Sequence, residues 1–267
     1  MKIPRSHPRY ESLVRRERLV KAWKDGIVVP EGLIAHGRGE AWDYLLGEET
    51  SAPALVAERV AAAYLLAAAR PVLSVNGNAA ALAASQVVRL AKAIPARIEV
   101  NLFHRSTARV RRIKGVLERA GARGVLGLHP NARIPGIESN RALSHRDGVF
   151  GADVVLVPLE DGDRAEALVR MKKVVISIDL NPLSRTSRRA TIPIIDELTR
   201  ALPNIEKFVK ELGSDVREAD RVRRSYRRSG NVRAVFSFLE WRLEGLRKNK
   251  ARRASGGRRR KKRSRLA

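Results

Sequence analysis

Apolar positions along this chain shift in period, and the shifts mark its elements. From Tyr10 to Asp25, Leu13, Val14, Val20 and Trp23 sit among charges at helical spacing. Glu40 to Leu46 and Pro53 to Arg70 follow the same logic, and Pro53 after Ser51 suits a helix start, where the missing N–H costs nothing. From residue 71 short β-branched runs alternate with helical segments. Strands are predicted at Val72 to Val75, Arg97 to Leu102, Gly124 to Leu128, Asp153 to Val157, Val174 to Asp179 and Thr191 to Ile195. Helices are predicted between them at Ala79 to Ala93, Ser106 to Ala120, Asp163 to Met171 and Glu197 to Leu212. Several strands are apolar without alternation, as when helices cover both faces of a parallel sheet. The pattern predicts an α/β class: a Rossmann-like, mostly parallel sheet with helices on both faces, preceded by an N-terminal helical region. Phe236, Leu239, Leu243 and Leu246 share helical spacing and extend the chain with further helix. The expected organisation is a helical region over 1–70, the α/β core over 71–212, a helical extension over 213–246 and a disordered basic tail over 247–267.

Composition changes this picture in two places. The wholly apolar run Val60 to Ala69 is flanked by Arg59 and Arg70 and falls well short of the roughly 20 residues that cross a bilayer, so it reads as a core helix. The first residues carry no apolar signal segment, and a cytoplasmic location is expected. Zero cysteines exclude disulfides, thiolate metal sites and a cysteine nucleophile. The five histidines never recur at i, i+4, so no helical metal pair is visible. The net charge of +26 invites a nucleic-acid reading, but its placement argues otherwise. Residues 247–267 hold twelve Lys/Arg and no acid, whereas residues 1–212 hold 34 against 23. No aromatic is interleaved in the tail, which favours a solubilising extension with nonspecific nucleic-acid contact through residues 248–267.

In α/β sheets ligands bind beyond the carboxyl ends of strands, so the loops there carry the chemistry. After the first strand comes Asn76-Gly77-Asn78, which reads either as a close approach for an anion or as a tight turn with Asn78 as N-cap. His36-Gly37-Arg38-Gly39-Glu40 looks like half of a glycine loop opening a helix, and Arg38 between two glycines suits a bidentate grip on phosphate. No P-loop or dinucleotide glycine fingerprint is present. After the fourth strand, Glu160-Asp161-Gly162-Asp163 crowds three acids that repel unless a cation, Mg²⁺ or a substrate amine, lies among them. The alternative is a solvated turn with Asp163 capping the next helix. After the fifth strand, Asp179-Leu180-Asn181-Pro182-Leu183-Ser184-Arg185-Thr186 is the densest polar cluster outside the tail, suited to ribose hydroxyls and phosphates.

Four segments in order resemble the archaeal phosphopantothenate synthetase family, the 4-phosphopantoate:β-alanine ligases. They are Ile3-Pro4 with Ser6 to Tyr10, Gly32 to Ala41, Val154 to Arg164 and Ile178 to Thr186. The likeness spans roughly residues 3–212. It implies a homodimer of coenzyme A biosynthesis that activates the carboxylate of 4-phosphopantoate with ATP as an acyl adenylate, after which the amine of β-alanine displaces AMP. Carried over by motif, Arg16, Arg38, Asp179, Leu180, Asn181, Arg185, Thr186, Glu197 and Leu198 would meet ATP, with Arg38 and Arg185 as the catalytic cations. Glu197 stands where the family pattern carries Asn, which confines its expected contact to backbone. Asp161 and Asp163 are the candidates for Mg²⁺ or for the β-alanine ammonium. Such chemistry gathers negative charge at one phosphorus and calls for several cations rather than an enzyme nucleophile. The basic tail lies outside the family pattern, and a nucleic-acid-binding protein working through it is the rival reading. A nucleotide-linked oxidoreductase on the same fold is disfavoured by the missing fingerprint.

Overall fold

A computed structural model describes residues 3–263, with side chains described through Lys248. Three helices lead. Helix α1, Tyr10–Lys24, buries Ser12, Arg15, Leu19 and Ala22. These positions share one stripe, and the expected apolar residues Val20 and Trp23 stay 37% and 45% exposed. Helix α2 is Pro30–Leu46, with Pro30 in its first turn and Gly47 closing it at φ 98°. The glycine segment around Arg38, expected as a loop before a helix, therefore lies inside a helix. Gly37 and Gly39 each weaken a helix by only about 1 kcal/mol, which tertiary packing overrides. Helix α3, Ala52–Ala67, starts where Ser51 accepts a hydrogen bond from the Ala54 amide at 3.3 Å.

The core then alternates β1 Pro71–Val75, α4 Gly77–Ala93, β2 Arg97–Val100, α5 Thr107–Arg119, the two-residue strands β3 Ala132–Arg133 and β4 Leu143–Ser144, β5 Val154–Pro158, α6 Gly162–Arg170, β6 Val174–Ile178, α7 Arg185–Arg189, β7 Ile192–Ile194 and α8 Leu198–Gly213. Helices α9, Val216–Ser225, and α10, Arg228–Arg263, follow. The disordered segment expected over 247–267 falls mostly on residues whose side chains are not described, and 264–267 lie outside the described residues.

Five parallel strands form the main sheet in the order β2-β1-β5-β6-β7, while β3 and β4 pair apart as an antiparallel ladder. Both sheet faces are covered. Leu73, Val75, Leu156, Ile176 and Ile178 join the large core with α3, α4 and α8. Val72, Val155, Val157 and Val175 face a second core that holds Ala165 and Leu168 of α6. The segment 124–128, expected as a sixth strand, makes a single parallel bridge between Leu126 and Glu99. Gly124 and Gly127 take φ of 62° and 108°, which leave the extended region and end pairing on either side.

The chain leaves β1 in one direction to β2 and returns to β5 on the other side, so a topological switch lies between β1 and β5. The crevice beyond the carboxyl ends of these two strands is where ligands of such sheets bind. The third cluster, Leu46, Leu180, Ile195, Val235 and Leu239, ties α2 and α10 to the loops after β6 and β7. It holds the first helical region against the open end of the sheet.

Candidate active site

A cavity of about 390 Å³ opens at that end, floored by the loops after β5, β6 and β7 and roofed by α2. Of the residues expected to meet nucleotide, Arg38, Asp179, Leu180, Asn181, Arg185, Thr186, Glu197 and Leu198 all line it. Arg16 does not. It stands one residue back, donating from Nε and Nη2 to Glu40 Oε2 at 2.9 and 2.6 Å, and Glu40 forms part of the wall. Its neighbour Arg15 lines the cavity instead, ion-paired with Asp43 and Glu197 at 3.6 and 3.7 Å.

Local structure explains how these loops converge. Asn76 caps α4 by accepting from the Ala79 amide at 3.0 Å, while its Nδ2 donates to the carbonyls of Pro158 and Leu159 at 3.1 and 2.8 Å. The side chain expected as cap, Asn78, donates instead to the Gly32 carbonyl at 2.8 Å, fixing the start of α2. Leu159 lies at φ 52°, a left-handed conformation that costs a non-glycine residue about 1 kcal/mol and turns the chain sharply out of β5. Thr186 Oγ1 donates to the Glu160 carbonyl at 2.6 Å, joining the loop after β6 to the loop after β5. Gly162 makes that junction possible, since a β-carbon there would overlap the backbone and Cβ of Arg185.

Charge is largely neutralised inside the walls. Glu160 is 2% exposed at its side chain, with Arg164 at 2.6 Å and Arg141 at 3.4 Å. Burial alone would raise its carboxyl, but the two guanidinium groups outweigh that and hold it below the usual carboxylate range. Asp161 accepts from Arg141 Nε at 2.6 Å, and Asp163 is exposed without lining the cavity. The cations that relieve the crowding of Glu160 and Asp161 are thus arginines of the chain, while Asp163 reaches solvent. No group of three or more His, Asp or Glu that could hold a metal occurs among the described residues. On the far wall Arg200 bridges Asp43 and Asp196 at 2.6 and 2.7 Å. Glu197 caps α8 through the Thr199 amide at 2.7 Å.

Two cations remain. Arg38 and Arg185 line the cavity and have no hydrogen bond or ion pair among the described residues. Burial raises the Asp179 carboxyl, opposed by hydrogen bonds from Ser184 and the Asn181 amide and by the charge of Arg38. His36, also in the wall, has its Nε2 buried without a partner, and burial with the charges of Arg15 and Arg16 pushes its pKa down despite Glu40. Burial thus disfavours the charged form of a ring that lines the cavity. Sequence reading singled out neither His36 nor Arg15, because only the helix phase of α1 and α2 reveals which side chains turn inward.

A doubly covered parallel sheet with a polar cavity at its switch point, bearing two uncommitted arginines and a strand-end aspartate, defines an α/β protein built to bind an anionic ligand. Known proteins narrow the class. The sequence profile of the phosphopantothenate/pantothenate synthetase family matches residues 53–242, and the chain belongs to that family. A protein of Methanospirillum hungatei named 4-phosphopantoate--beta-alanine ligase is 55% identical over 241 residues, covering 90% of this chain and 98% of its own. A namesake from Methanosarcina mazei is 56% identical, covering 81% and 85%, and one from Thermococcus kodakarensis 51%, covering 81% and 83%.

Proposed function

We propose that the protein is an ATP-dependent ligase that condenses 4-phosphopantoate with β-alanine to 4'-phosphopantothenate, releasing AMP and diphosphate, in coenzyme A biosynthesis. The carrying observation is the pair Arg38 and Arg185, cations without an ion pair among the described residues, in a cavity that also gathers Asp179 and Asn181. In this reading a carboxylate oxygen of 4-phosphopantoate attacks the α-phosphorus of ATP and diphosphate leaves. The nitrogen of β-alanine then attacks the acyl carbon, loses a proton and expels AMP. Arg38 and Arg185 stabilise the negative charge that builds at phosphorus, and they need no reorganisation because no carboxylate holds them. Asp179 and Asn181 hold the ribose hydroxyls, Leu180 and Leu198 supply an apolar wall, and Thr186 fixes the phosphate-side loop. Glu197, spent on capping α8, shapes the wall through its backbone. Arg16 acts through Glu40, positioning α2. Magnesium travels with the nucleotide phosphates in this scheme. The homodimer implied by the sequence resemblance belongs to the same reading, with sedimentation mass as its check.

Incubation of the protein with ATP, Mg²⁺, 4-phosphopantoate and β-alanine is the test. AMP formed in equal amount to amide is the expected result. ADP in place of AMP overturns the adenylate, and absence of nucleotide turnover overturns the ligase.

A further inference from the structure

Helix α10 lies outside the sheet, yet one stripe of it reaches both helices that carry the uncommitted arginines. Arg228, Asn231, Val235, Leu239 and Arg242 recur at helical spacing and share one face. Asn231, Val235 and Leu239 are buried, the last two in the cluster with Leu46 of α2 and Leu180 of the loop after β6. Each end of the stripe is an arginine that grips the carboxyl end of another helix. The Arg228 guanidinium donates from Nε to the Ala190 carbonyl at 2.8 Å and from Nη2 to the carbonyls of Ser187 and Arg188 at 3.0 and 2.6 Å. These carbonyls end α7 and have no partner within it, and a cation there also meets the negative end of the helix dipole. With only five residues, α7 is too short to persist by its own hydrogen bonds. Its amino end is tied by the Ser184 cap and by Thr186 to the Glu160 carbonyl. Arg228 supplies the tie at the other end, since the ion pair of Arg189 with Glu166 at 3.3 Å is exposed and weak. Arg242 does the same for α2: its Nε donates to the Leu45 carbonyl at 3.0 Å, and Glu49 stands 3.6 Å from Nη1. Gly47, at the left-handed turn that ends α2, leaves room for this guanidinium, which a β-carbon would overlap. Helices α2 and α7 share no hydrogen bond or ion pair among the described residues.

We propose that Arg228 and Arg242 are positioning residues: α10 braces α7 and α2 together and so fixes the separation of Arg185 and Arg38. The inference rests on the ligase reading for what those two cations do. They converge on one cavity from helices that do not hold each other, and a third element that holds both sets their spacing. At 1.5 Å per residue the fourteen positions from Arg228 to Arg242 span about 21 Å of α10, locked midway by Val235 and Leu239. Neither arginine lines the cavity, so each acts through the backbone of the helix it caps. The chain beyond residue 213 thereby belongs to the working part of the enzyme.

The test combines amide exchange with double substitutions. In Arg228→Ala the amides of Arg188 and Ala190, which donate to the carbonyls of Ser184 and Thr186, exchange at least about tenfold faster, while those of Gly47 and Glu48 at the end of α2 keep their rates. Arg242→Ala gives the reverse. In each variant kcat/KM for ATP falls about 10- to 100-fold. Placed on Arg185→Ala, Arg228→Ala costs less than about a further twofold, because the group it positions is already gone; Arg242→Ala behaves the same way on Arg38→Ala. Arg228→Lys keeps the charge without the fork, so its fall is about three- to tenfold; it also carries the test if the alanine variant does not fold. Arg233→Ala, which removes an exposed charge from the same helix, leaves exchange and turnover unchanged. Unchanged exchange of the Arg188 and Ala190 amides in a folded Arg228 variant overturns the brace, as does a loss of turnover equally large with and without Arg185. Faster exchange confined to the capped helix, in a protein that forms no amide, leaves the brace standing and removes the ligase.

Discussion

Arg38 and Arg185 are the residues on which the proposed chemistry turns, and Arg38 carries a direct expectation. Arg38→Ala removes a cation that no wall residue replaces, and kcat/KM for ATP falls about 10²- to 10³-fold in steady-state assays while the melting temperature stays near wild type. Glu58 of α3 shows the opposite situation, a group buried behind Asp196 of the wall and committed to stability. It is fully buried, accepts from Asn204 Nδ2 at 3.0 Å, and lies beside Asp196, which is itself held by Arg200 and Thr50. Burial, then the charge of Asp196, pushes the Glu58 pKa from 4.5 up to about 9. The folded protein therefore keeps a proton that the unfolded chain has released, and stability falls as pH rises between those two values. Glu58→Gln retains the hydrogen-bonding shape without the titration. Its urea midpoint matches wild type near pH 5 and exceeds it near pH 9; a variant weaker than wild type at both would overturn the shared-proton reading. The sequence displayed Arg38 because glycines flank it. Glu58 was invisible there, since a glutamate in an Ala-rich helix looks the same whether it faces water or a buried aspartate.

Helix α2 and the start of α6 show how far local sequence specifies an element. Gly37 has open space around its Cα and ordinary helical backbone. Gly37→Ala should raise stability by about 1 kcal/mol in denaturant titration and leave catalysis intact. Gly162 is the contrast, because its missing side chain is filled by Arg185. Gly162→Ala should cost about 1–3 kcal/mol through overpacking and also lower ligase activity, since Arg185 must move to make room. Both are glycines beside an arginine motif, and their sequence neighbourhoods do not distinguish them. Periodicity found α1 and α2 but misplaced the first in face and the second in extent. Val20 and Trp23 stay partly exposed while Leu19 and Ala22 pack inward, because the surface offered by α4 decides the phase. The βα alternation after residue 71 was more legible: strands covered on both faces are mostly apolar, so the runs survive in the sequence despite buried Ser74, Glu99 and Ser177.

Across the whole molecule, charge and architecture separate. Among the described residues no helix is long and apolar enough to cross a membrane, and the last helix packs through Val235 and Leu239 well before the basic run begins. Deletion of residues 248–267 removes eleven Lys/Arg. Ligase turnover should persist, while retention on an anionic polymer and its salt dependence should drop sharply. Loss of turnover would show that the basic segment takes part in the reaction. The sequence by itself determined the alternation that gives a parallel α/β sheet, the strand-end loop Asp179 to Thr186, and the separation of the basic segment, because each depends on residues near one another in the chain. The tertiary structure alone decided the strand order and hence the switch point, the inward turn of Arg15 and His36, the capture of the Glu160 and Asp161 charges by Arg141 and Arg164, and the hold of Arg228 and Arg242 on the ends of α7 and α2. Those features depend on which distant segments meet, and a charge is free to bind a ligand only when no distant partner has already taken it.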